Sequence, residues 1–349
     1  MASLRQTLKL VVEQGATLSR EAARSLLTEV LASEPGDGDV EIAALLTALA
    51  TRGETADELT GFAEAMRELA IPLPLTDEER ASLVDTCGTG GDGLGTFNIS
   101  TGAALVAVGA GAKVAKHGNR AVTSKCGSAD VLEALGIPVI LSPEQAVACL
   151  RATGFMFLLA PDLHPAMRRV QPIRRALGFR TIFNLAGPLT NPAGAPAQVM
   201  GVYAESKLML AAEAMARLGV AFGLVVHGRN GMDEIALSVT DAVMVYGGGG
   251  HPSVARMRYA PEVLGLKRAA LRELSGGETA EENAAILERI FAGEPGAKRN
   301  IVVANAAAAL HVGRVARTIE EGVQLASEAI DSGAVRSTVE ALRKFGQGI

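Results

Sequence analysis

The chain has 349 residues, of which 48% are hydrophobic and 20% charged, and its formal net charge is −5 at pH 7. A chain of this length and apolar content can bury a large core, as one big domain or as one large and one small domain. The negative charge and the lack of a long basic cluster argue against nucleic acid or an anionic membrane as partners. Any anion that the protein binds is expected to be small.

The first residues, MASLRQTLKLVVEQ, contain neither the apolar core nor the cleavage site of a signal peptide. No uncharged apolar run reaches the length that spans a bilayer, so we expect a cytoplasmic protein. The cysteines, Cys87, Cys126 and Cys149, are an odd number without a CxxC pair. They indicate neither a disulfide framework nor a zinc site, and we interpret them as small packing residues.

Apolar spacing predicts helices alone before residue 71, in the segments TLSREAARSLLTEVLAS, VEIAALLTALATRG and ETADELTGFAEAMREL. After IPLPL at 71–75, short β-like runs alternate with amphipathic helices. The predicted strands are SLVDTC, KVAKHG, IPVIL, FMFLLA, VMGVY and FGLVVHG. This alternation predicts an α/β fold with a mainly parallel sheet covered by helices on both faces. The ligand loops of such a sheet lie beyond the carboxyl ends of its strands.

A glycine loop, GTGGDG at 88–93, follows the first predicted strand and contains the GxGxxG pattern of dinucleotide sites. The context differs, because the helix opens only after residues 96–98 and Lys113, not an acid, stands about twenty residues further on. What remains is a strand-to-helix loop whose backbone N–H groups can approach an anion, with Asn98, Ser100 and Thr101 at the N-terminus of the following helix. We interpret it as a phosphate or diphosphate cradle; a purely structural turn is the alternative.

A second polar loop, KHGNRAVTSKCGS at 116–128, follows the next strand. Its two lysines, one arginine and three hydroxyl side chains can donate charge-assisted hydrogen bonds to phosphate. A solvated basic loop would have the same composition. The first cradle, one βα unit earlier, favours the phosphate interpretation.

A third loop, HGRNGMDE at 227–234, places Asp233 and Glu234 side by side after a strand. Oxygen ligands of this kind suit Mg²⁺, which is usually bound by one or two carboxylates together with substrate phosphates. Adjacent acids are also common on surfaces. Two predicted phosphate cradles in the same chain favour the metal, since a diphosphate leaving group calls for a divalent cation.

A fourth segment, 164–178, carries several arginines beside apolar residues. Arginine can bind a carboxylate through two parallel hydrogen bonds, and neighbouring apolar atoms would suit an aromatic acid. A solvated stripe of arginines is an equally good interpretation of the spacing alone. The segment is followed by GPLTNP at 187–192.

Together these residues resemble the anthranilate phosphoribosyltransferase family, whose motifs read GTGGD, NIST, KHGNRAxxSxxGSADxLEALG and GPLTNP. The chain has them at 88–92, 98–101, 116–136 and 187–192. The resemblance runs nearly end to end and is weakest around 32–41 and 246–280. It implies transfer of the phosphoribosyl group of 5-phosphoribosyl 1-diphosphate (PRPP) to the amine of anthranilate, with release of diphosphate. This is the second step of tryptophan biosynthesis from chorismate.

The resemblance also implies an organisation. A small helical domain, 1–75 plus an excursion near 162–185, is expected to pack against a large α/β domain formed by 76–161 and 186–349. A homodimer through the helical domain is expected. The chain would be the transferase alone, without a glutamine amidotransferase, and nothing in the sequence points for or against an anthranilate synthase subunit as a partner.

The site residues follow from the resemblance position by position. The residues implied to bind PRPP are Gly88, Gly91, Asp92, Thr96, Asn98, Ile99, Ser100, Thr101, Lys116, His117, Gly118, Asn119, Arg120, Ala121, Val122, Thr123, Ser124 and Ser128. Those implied to contact anthranilate or line its access route are Gly88, His117, Asn119, His164 and Arg174. Mg²⁺, expected as two ions per monomer, would be bound by Ser100, Asp233 and Glu234.

The implied chemistry is mainly electrostatic. Breaking the bond between C1 of the ribose and diphosphate develops positive charge on the sugar and negative charge on the leaving group. Magnesium and backbone N–H groups would stabilise the leaving group, and binding would align the amine with C1. The anthranilate amine is unprotonated at neutral pH, so no obligatory general base is assigned; His117 is the nearest candidate if one exists.

Two other functions fit parts of the sequence. A pyrimidine nucleoside phosphorylase shares the helical and α/β architecture and also acts at C1 of a ribose, and phosphate-dependent cleavage of thymidine would identify it. A catalytically silent relative that binds nucleic acid should have lost loop residues and gained basic surface. The loops of this chain are intact and its net charge is negative.

Overall fold

The structure is a computed structural model that describes residues 3–121, 125–247 and 252–348. Five helices precede the first strand: α1 (Leu4–Gln14), α2 (Arg20–Ala32), α3 (Asp39–Arg52), α4 (Ala56–Glu68) and α5 (Asp77–Ala81). Four of them begin at a serine or threonine whose hydroxyl accepts a backbone N–H of the first turn. The helices predicted before residue 71 are confirmed.

Seven strands form one sheet within the described residues: β1 (Leu83–Gly88), β2 (Lys113–Gly118), β3 (Phe155–Leu159), β4 (Ala197–Gly201), β5 (Phe222–Gly228), β6 (Thr240–Tyr246) and β7 (Ser253–Tyr259). Their order is β3-β2-β1-β4-β5-β6-β7. Neighbouring strands in the run β3-β2-β1-β4-β5 are parallel. β6 pairs antiparallel with β5, and β7 pairs antiparallel with β6 at the edge of the sheet. The strand order reverses between β1 and β4, which is where open α/β sheets bind ligands.

Helices cover both faces of the sheet. After β1 they are α6 (Ile99–Gly109), α7 (Ser128–Ala134), α8 (Pro143–Thr153), α9 (Ala160–Leu163), α10 (Gln171–Leu177), α11 (Ile182–Ala186), α12 (Leu208–Arg217), α13 (Ala280–Phe291), α14 (Ala297–Val312), α15 (Ile319–Asp331) and α16 (Ala334–Gln347). Alternate residues of β5 illustrate the two faces: Leu224 and Val226 pack with α6 and α13–α16, whereas Val225 packs with α2–α4 and α10–α12. The predicted α/β fold with a mainly parallel sheet is confirmed.

The N-terminal helices share one apolar core with α10–α12 and with one face of the sheet. Glu58 of α4 is fully buried there and accepts hydrogen bonds from the backbone N–H of Leu18 and from Arg52. Arg67 of α4 donates to the backbone carbonyls of Leu189 and Leu218. The division into 1–75 plus 162–185 and a separate α/β domain stays a prediction.

Two strand assignments differ from the sequence prediction. The segment IPVIL at 137–141 is not a strand: Ile137 and Val139 are buried, but within the described residues the segment joins no sheet and leads directly into α8. Alternating burial arises here because the segment lies under α16, whose Gly346 meets Pro138. The antiparallel strands β6 and β7 were not predicted.

We expect the substitution Gly61→Ala to lower the free energy of unfolding. A Cβ at Gly61 of α4 would lie 2.2 Å from the backbone oxygen of Arg20 and 2.8 Å from the backbone nitrogen of Arg24, both on α2. Overpacking of this kind costs about 1–3 kcal/mol, which outweighs the gain of about 1 kcal/mol in helix propensity.

The measurement is the urea midpoint followed by circular dichroism. Gly348→Ala is the matched control, because Gly348 has φ −99° and a Cβ there makes only ordinary contacts, the nearest at 3.7 Å. Equal midpoints for Gly61→Ala and the unsubstituted protein would contradict close packing of α2 on α4.

Candidate functional site

The third polar loop lies directly on the carboxyl ends of β1 and β4. The last residues of these strands, Gly88 and Gly201, are paired in the sheet. A Cβ at Gly201 would lie 1.5 Å from the backbone oxygen of Asp233, and a Cβ at Gly88 would lie 2.4 Å from its Oδ2 atom. Only glycine at both positions lets the Asp233–Glu234 segment reach the point where the strand order reverses.

Asp233 joins the third loop to the glycine loop. Its Oδ2 atom accepts the N–H of Gly90 at 2.7 Å. Burial raises the pKa of Asp233 to about 6, and the nearby carboxylate of Asp92 contributes to that rise. Burial and the neighbouring Asp233 also raise the pKa of Glu234 well above its ordinary value, whereas Lys116 and the backbone N–H of Ser100 act to lower it. Three carboxyl groups thus gather beside the first two polar loops, with Ser100 next to Glu234.

This arrangement fits a magnesium site that is completed by substrate. No group of three or more His, Cys, Asp and Glu side chains stands ready to enclose a metal in the part of the chain that the structure describes. Mg²⁺ keeps several waters and is usually bound by one or two carboxylates together with substrate phosphates. The buried Asp233 and the partly buried Glu234, neighbours with raised pKa values, offer carboxylate oxygens of the kind such an ion prefers.

Lys116 lies beneath the glycine loop. Its side chain is 2% exposed, and Nζ donates to the backbone oxygen of Thr86 at 2.6 Å and to Oγ of Ser100 at 3.3 Å. Burial lowers its pKa, and the negative groups around it, Asp85 first, act in the opposite direction. The lysine thus brings a positive charge close to the acidic cluster.

Asp85 is a buried acid that the sequence analysis did not single out. Burial raises its pKa to about 6, against the opposing effects of Asn191 and Lys116. Its Oδ1 atom accepts the backbone N–H of His117 at 3.4 Å, and Gln198 donates to Oδ2 at 3.4 Å. An acid inside the otherwise apolar run SLVDTC was the signal that could have identified it, because buried acids need partners.

Asp130 of α7 binds the backbone of the second polar loop at Ala121 and at Gly127. The Oδ2 atom of Asp130 accepts the N–H groups of Ala121 at 2.9 Å and Gly127 at 2.8 Å. The guanidinium of Arg120 donates twice to Glu133, at 2.5 and 2.6 Å, which raises its pKa. In this structure Arg120 is therefore directed to α7. Asp130 was missed by the sequence analysis although it lies inside the GSAD motif.

Ser128 and the adjoining residues close the same loop. The hydroxyl of Ser128 lies 3.2 Å from both the backbone nitrogen and the backbone oxygen of Asn119. A Cβ at Gly118 would lie 2.3 Å from that hydroxyl, so only glycine at this position lets Ser128 approach the backbone so closely. Val122, Thr123 and Ser124, which were also assigned to PRPP, lie outside the described residues.

The residues at the start of α6 link the first two loops. Asn98 precedes the helix, and its amide donates to the backbone oxygen of Cys126 at 3.1 Å. Ile99 and Thr101 are buried in the first turn, where the N–H of Ile99 donates to the backbone oxygen of Phe97 at 2.7 Å. Thr96 forms a bridge with Ser275.

Two histidines from different segments lie together. The rings of His117 and His164 are 5.1 Å apart, both side chains are buried, and their Nε2 atoms have no hydrogen-bond partner among the described residues. Burial, and then the neighbouring His164, lower the pKa of His117 to about 3. Burial also lowers the pKa of His164. Both rings are therefore neutral at neutral pH, and His117 is a weak base.

Arg174 lies on α10 with its guanidinium 5.2 Å from the centre of the Phe183 ring. Burial lowers its pKa. Among the described residues, Arg174 stacks on the Phe183 ring, and no hydrogen bond joins Arg174 to Asn119. Arg180 lies three residues beyond the end of α10 and contacts the glycine loop. It was not singled out from the sequence, although it lies in the run FRTIFN that precedes GPLTNP.

Solved structures with similar folds come from bacteria and yeast. Anthranilate phosphoribosyltransferase from Thermus thermophilus has a TM-score of 0.89 and 44% identity, over 97% of this chain and 99% of that chain. The Saccharomyces cerevisiae enzyme, solved in complex with PRPP and Mg, has a TM-score of 0.86 and 27% identity, over 99% of this chain and 98% of that chain.

Curated relatives are similar over almost their whole length. An anthranilate phosphoribosyltransferase of Symbiobacterium thermophilum is 49% identical over 334 residues, which cover 96% of this chain and 95% of the relative. One of Haloferax volcanii is 47% identical over 334 residues, covering 95% and 98%.

Family models describe the two parts of the chain. Residues 5–70 match the helical bundle domain of a glycosyl transferase family, and residues 80–336 match its a/b domain. The sheet, its loops and these matches define a glycosyl transferase of this two-part type. With the relatives above, the chain belongs to the anthranilate phosphoribosyltransferase family, as its motifs predicted.

We expect Gly201→Ala to lower turnover about 100-fold, because displacement of a site by about 1 Å can cost that much. The added Cβ would meet the backbone of Asp233, which cannot move without shifting the acidic pair. The measurement is the initial rate with PRPP, anthranilate and Mg²⁺.

Gly223→Ala is the matched control within the same sheet. A Cβ at Gly223 would lie 2.4 Å from Sδ of Met215, the far end of a flexible side chain, at the opposite end of β5 from Gly228. Its turnover should stay within about twofold of the unsubstituted rate, since its packing can relax. Similar rates for both variants would refute a close fit between Gly201 and the acidic loop.

Proposed function

We infer that this chain transfers the phosphoribosyl group of PRPP to the amine of anthranilate, giving N-(5-phosphoribosyl)anthranilate and diphosphate. The observation that carries this function is the meeting of Asp233 and Glu234 with the glycine loop at the end of β1 and β4. A site of this composition suits a diphosphate that arrives with a divalent cation.

In this proposal the donor spans the first two polar loops. The N–H groups of Gly91 and Asp92 in the glycine loop and that of Thr101 at the start of α6 bind the diphosphate. The side chain of Lys116 and the loop formed by 117–124 with Ser128 bind the other phosphate and the ribose. The contact between Asn98 and the backbone of Cys126 supports a single continuous donor site, because it joins the two loops.

Magnesium, proposed as two ions per monomer, would be bound by Ser100, Asp233 and Glu234 together with the donor's phosphates. When bound, the metal supplies charge stabilisation for the departing diphosphate. The chain's own residues do the rest: in this proposal the backbone N–H groups of Gly91 and Asp92 donate to the leaving group, because those of Thr89 and Gly90 already donate to Gly201 and Asp233.

Anthranilate is proposed to bind between the glycine loop and α10. Arg174 would bind its carboxylate, Asn119 would orient it, and His117 and His164 would line the route to Gly88. The low pKa of His117 supports a mechanism without an obligatory general base, since a ring with a pKa of about 3 is mostly neutral and weakly basic at pH 7. The amine attacks C1, and its proton leaves afterwards.

The assembly is also a proposal. Leu10 and Val12 of α1 and Val40 of α3 are 40%, 61% and 80% exposed. These exposed apolar side chains on the N-terminal helices are compatible with a homodimer through this part of the chain, which we propose from the family resemblance. No helix in the described part of the chain is long and apolar enough to cross a membrane. The cytoplasmic location expected from the sequence stays a prediction.

The reaction is tested by the loss of anthranilate fluorescence after addition of protein, PRPP and Mg²⁺. We expect a rapid loss that EDTA abolishes. Asp233→Asn and Glu234→Gln should each raise the Mg²⁺ concentration needed for half-maximal rate by about tenfold or more, because removal of one carboxylate from a divalent site weakens binding.

Glu340→Gln, an exposed position on α16, is the matched control and should leave the Mg²⁺ response unchanged. An unchanged Mg²⁺ response in both acidic-loop variants would exclude their metal role. If the folded protein leaves anthranilate fluorescence constant, the acceptor is wrong, and nucleosides with phosphate are the next substrates to test.

We expect Arg174→Gln to raise the KM for anthranilate about 30-fold, since loss of a charged partner for a carboxylate costs roughly 2 kcal/mol. The KM for PRPP should change less than about twofold, because Arg174 lies on the acceptor side of the proposed site. Steady-state kinetics with each substrate varied in turn separates the two. A larger change for PRPP than for anthranilate would refute this assignment.

A further inference from the structure

Arg180 contacts the glycine loop at the residue after the one that Asp233 binds. Its Nη2 atom donates to the backbone oxygen of Gly91. Its Nε atom would lie 3.6 Å from a Cβ at Gly91, a residue with φ +71°. The guanidinium also stacks on Tyr203, 4.4 Å from the ring centre. One planar side chain thus joins a ring that follows β4 to the carbonyl of a loop that follows β1.

The loop is attached at three successive residues. The N–H of Thr89 donates to the backbone oxygen of Gly201 at 3.0 Å, and the hydroxyl of Thr89 accepts the N–H of Tyr203 at 3.1 Å. The N–H of Gly90 donates to Asp233. Arg180 then binds the carbonyl of Gly91. Thr89 and Gly90 are attached through groups of the sheet and the acidic loop, whereas the attachment of Gly91 comes from the α10–α11 segment.

The contact with Gly91 fixes the direction of a neighbouring donor. A trans peptide is planar, so its N–H points opposite to its C=O. The described residues contain no cis peptide bond. When Arg180 draws the carbonyl of Gly91 to one side, the N–H of Asp92 points to the other side. We propose that Arg180 is a positioning residue that orients the Gly91–Asp92 peptide so that the Asp92 N–H donates to the diphosphate of the donor.

The backbone of Arg180 is itself well placed for this role. It follows the α10 end cap Gly178, which has φ +66°, and precedes Thr181, whose N–H donates to the side chain of Asn184 at 3.0 Å. The α10–α11 connection therefore has a defined geometry. Arg174 lies on α10, six residues before Arg180, so the proposed acceptor contact and the contact with the donor loop come from one short segment of chain.

The inference rests on the proposed function, and kinetics with a separate binding measurement tests both. Arg180→Gln should raise the KM for PRPP about tenfold, because a hydrogen bond to a charged group is lost. The KM for anthranilate should change less than about twofold. Binding of Mg²⁺ with pyrophosphate, measured by calorimetry, should weaken by a similar factor as for PRPP.

Arg180→Lys distinguishes positioning from simple charge. Lysine keeps the charge but cannot stack on Tyr203 and donate in a plane at the same time, so its KM for PRPP should stay close to that of Arg180→Gln. Tyr203→Phe should behave like the unsubstituted protein, and Tyr203→Ala should raise the KM for PRPP about threefold through the lost stacking. Arg256→Gln, an exposed arginine on the edge strand β7, is the control for loss of charge.

Two results would overturn the proposal: a KM for PRPP within twofold of the original in folded Arg180→Gln, or recovery of that KM in Arg180→Lys. If Arg180→Gln does not fold, the Tyr203→Ala and Tyr203→Phe pair decides, and equal KM values for these two would reject the positioning role. An unsubstituted protein that is inactive with anthranilate refutes the proposed function. Pyrophosphate binding in the Arg180 variants then still tests this inference.

Discussion

The site depends on the close approach of two stretches of backbone at the centre of the sheet. Gly88 and Gly201 end neighbouring parallel strands, and the Asp233–Glu234 segment lies where their side chains would be. The close packing forces two acids into a buried position at the point where the strand order reverses. The carboxylates are thus fixed by packing of the backbone, and their positions do not rely on long flexible side chains.

Burial of the acids has an electrostatic consequence. Burial and neighbouring carboxylates, that of Asp92 among them, raise the pKa values of Asp233 and Glu234, and Lys116 provides a nearby positive charge. Grouping like charges away from water is unfavourable for the folded protein without a ligand. A divalent cation with its phosphates relieves this repulsion. The same groups that are unfavourable for folding are therefore favourable for binding, which is a common property of functional sites.

Much of this architecture was predictable because local patterns determine it. The runs KVAKHG and FGLVVHG coincide with β2 and β5 at both ends, and the glycine and acidic loops follow strands as expected. The strand predicted for IPVIL was wrong because alternating burial does not specify a strand partner. Helix α16 covers this segment instead of a neighbouring strand. The strand β7 was missed because it exposes most of its side chains and lacks a buried alternating face, whereas β6 is buried at six of its seven residues and was overlooked. Asp85, Asp130 and Arg180 were missed because their roles depend on partners distant in space or on backbone atoms.

The hydrogen bond from Asn98 to the carbonyl of Cys126 links the two loops proposed to bind the donor. When a ligand orders one loop, part of the entropy loss needed to order the other has already occurred. Once one end of a long ligand is bound at one loop, its other end is present at a high effective concentration near the second loop. A molecule that carries both phosphate groups on one ribose gains from this linkage, and separate fragments of the same chemistry do not. The loop contact thereby selects for an intact donor.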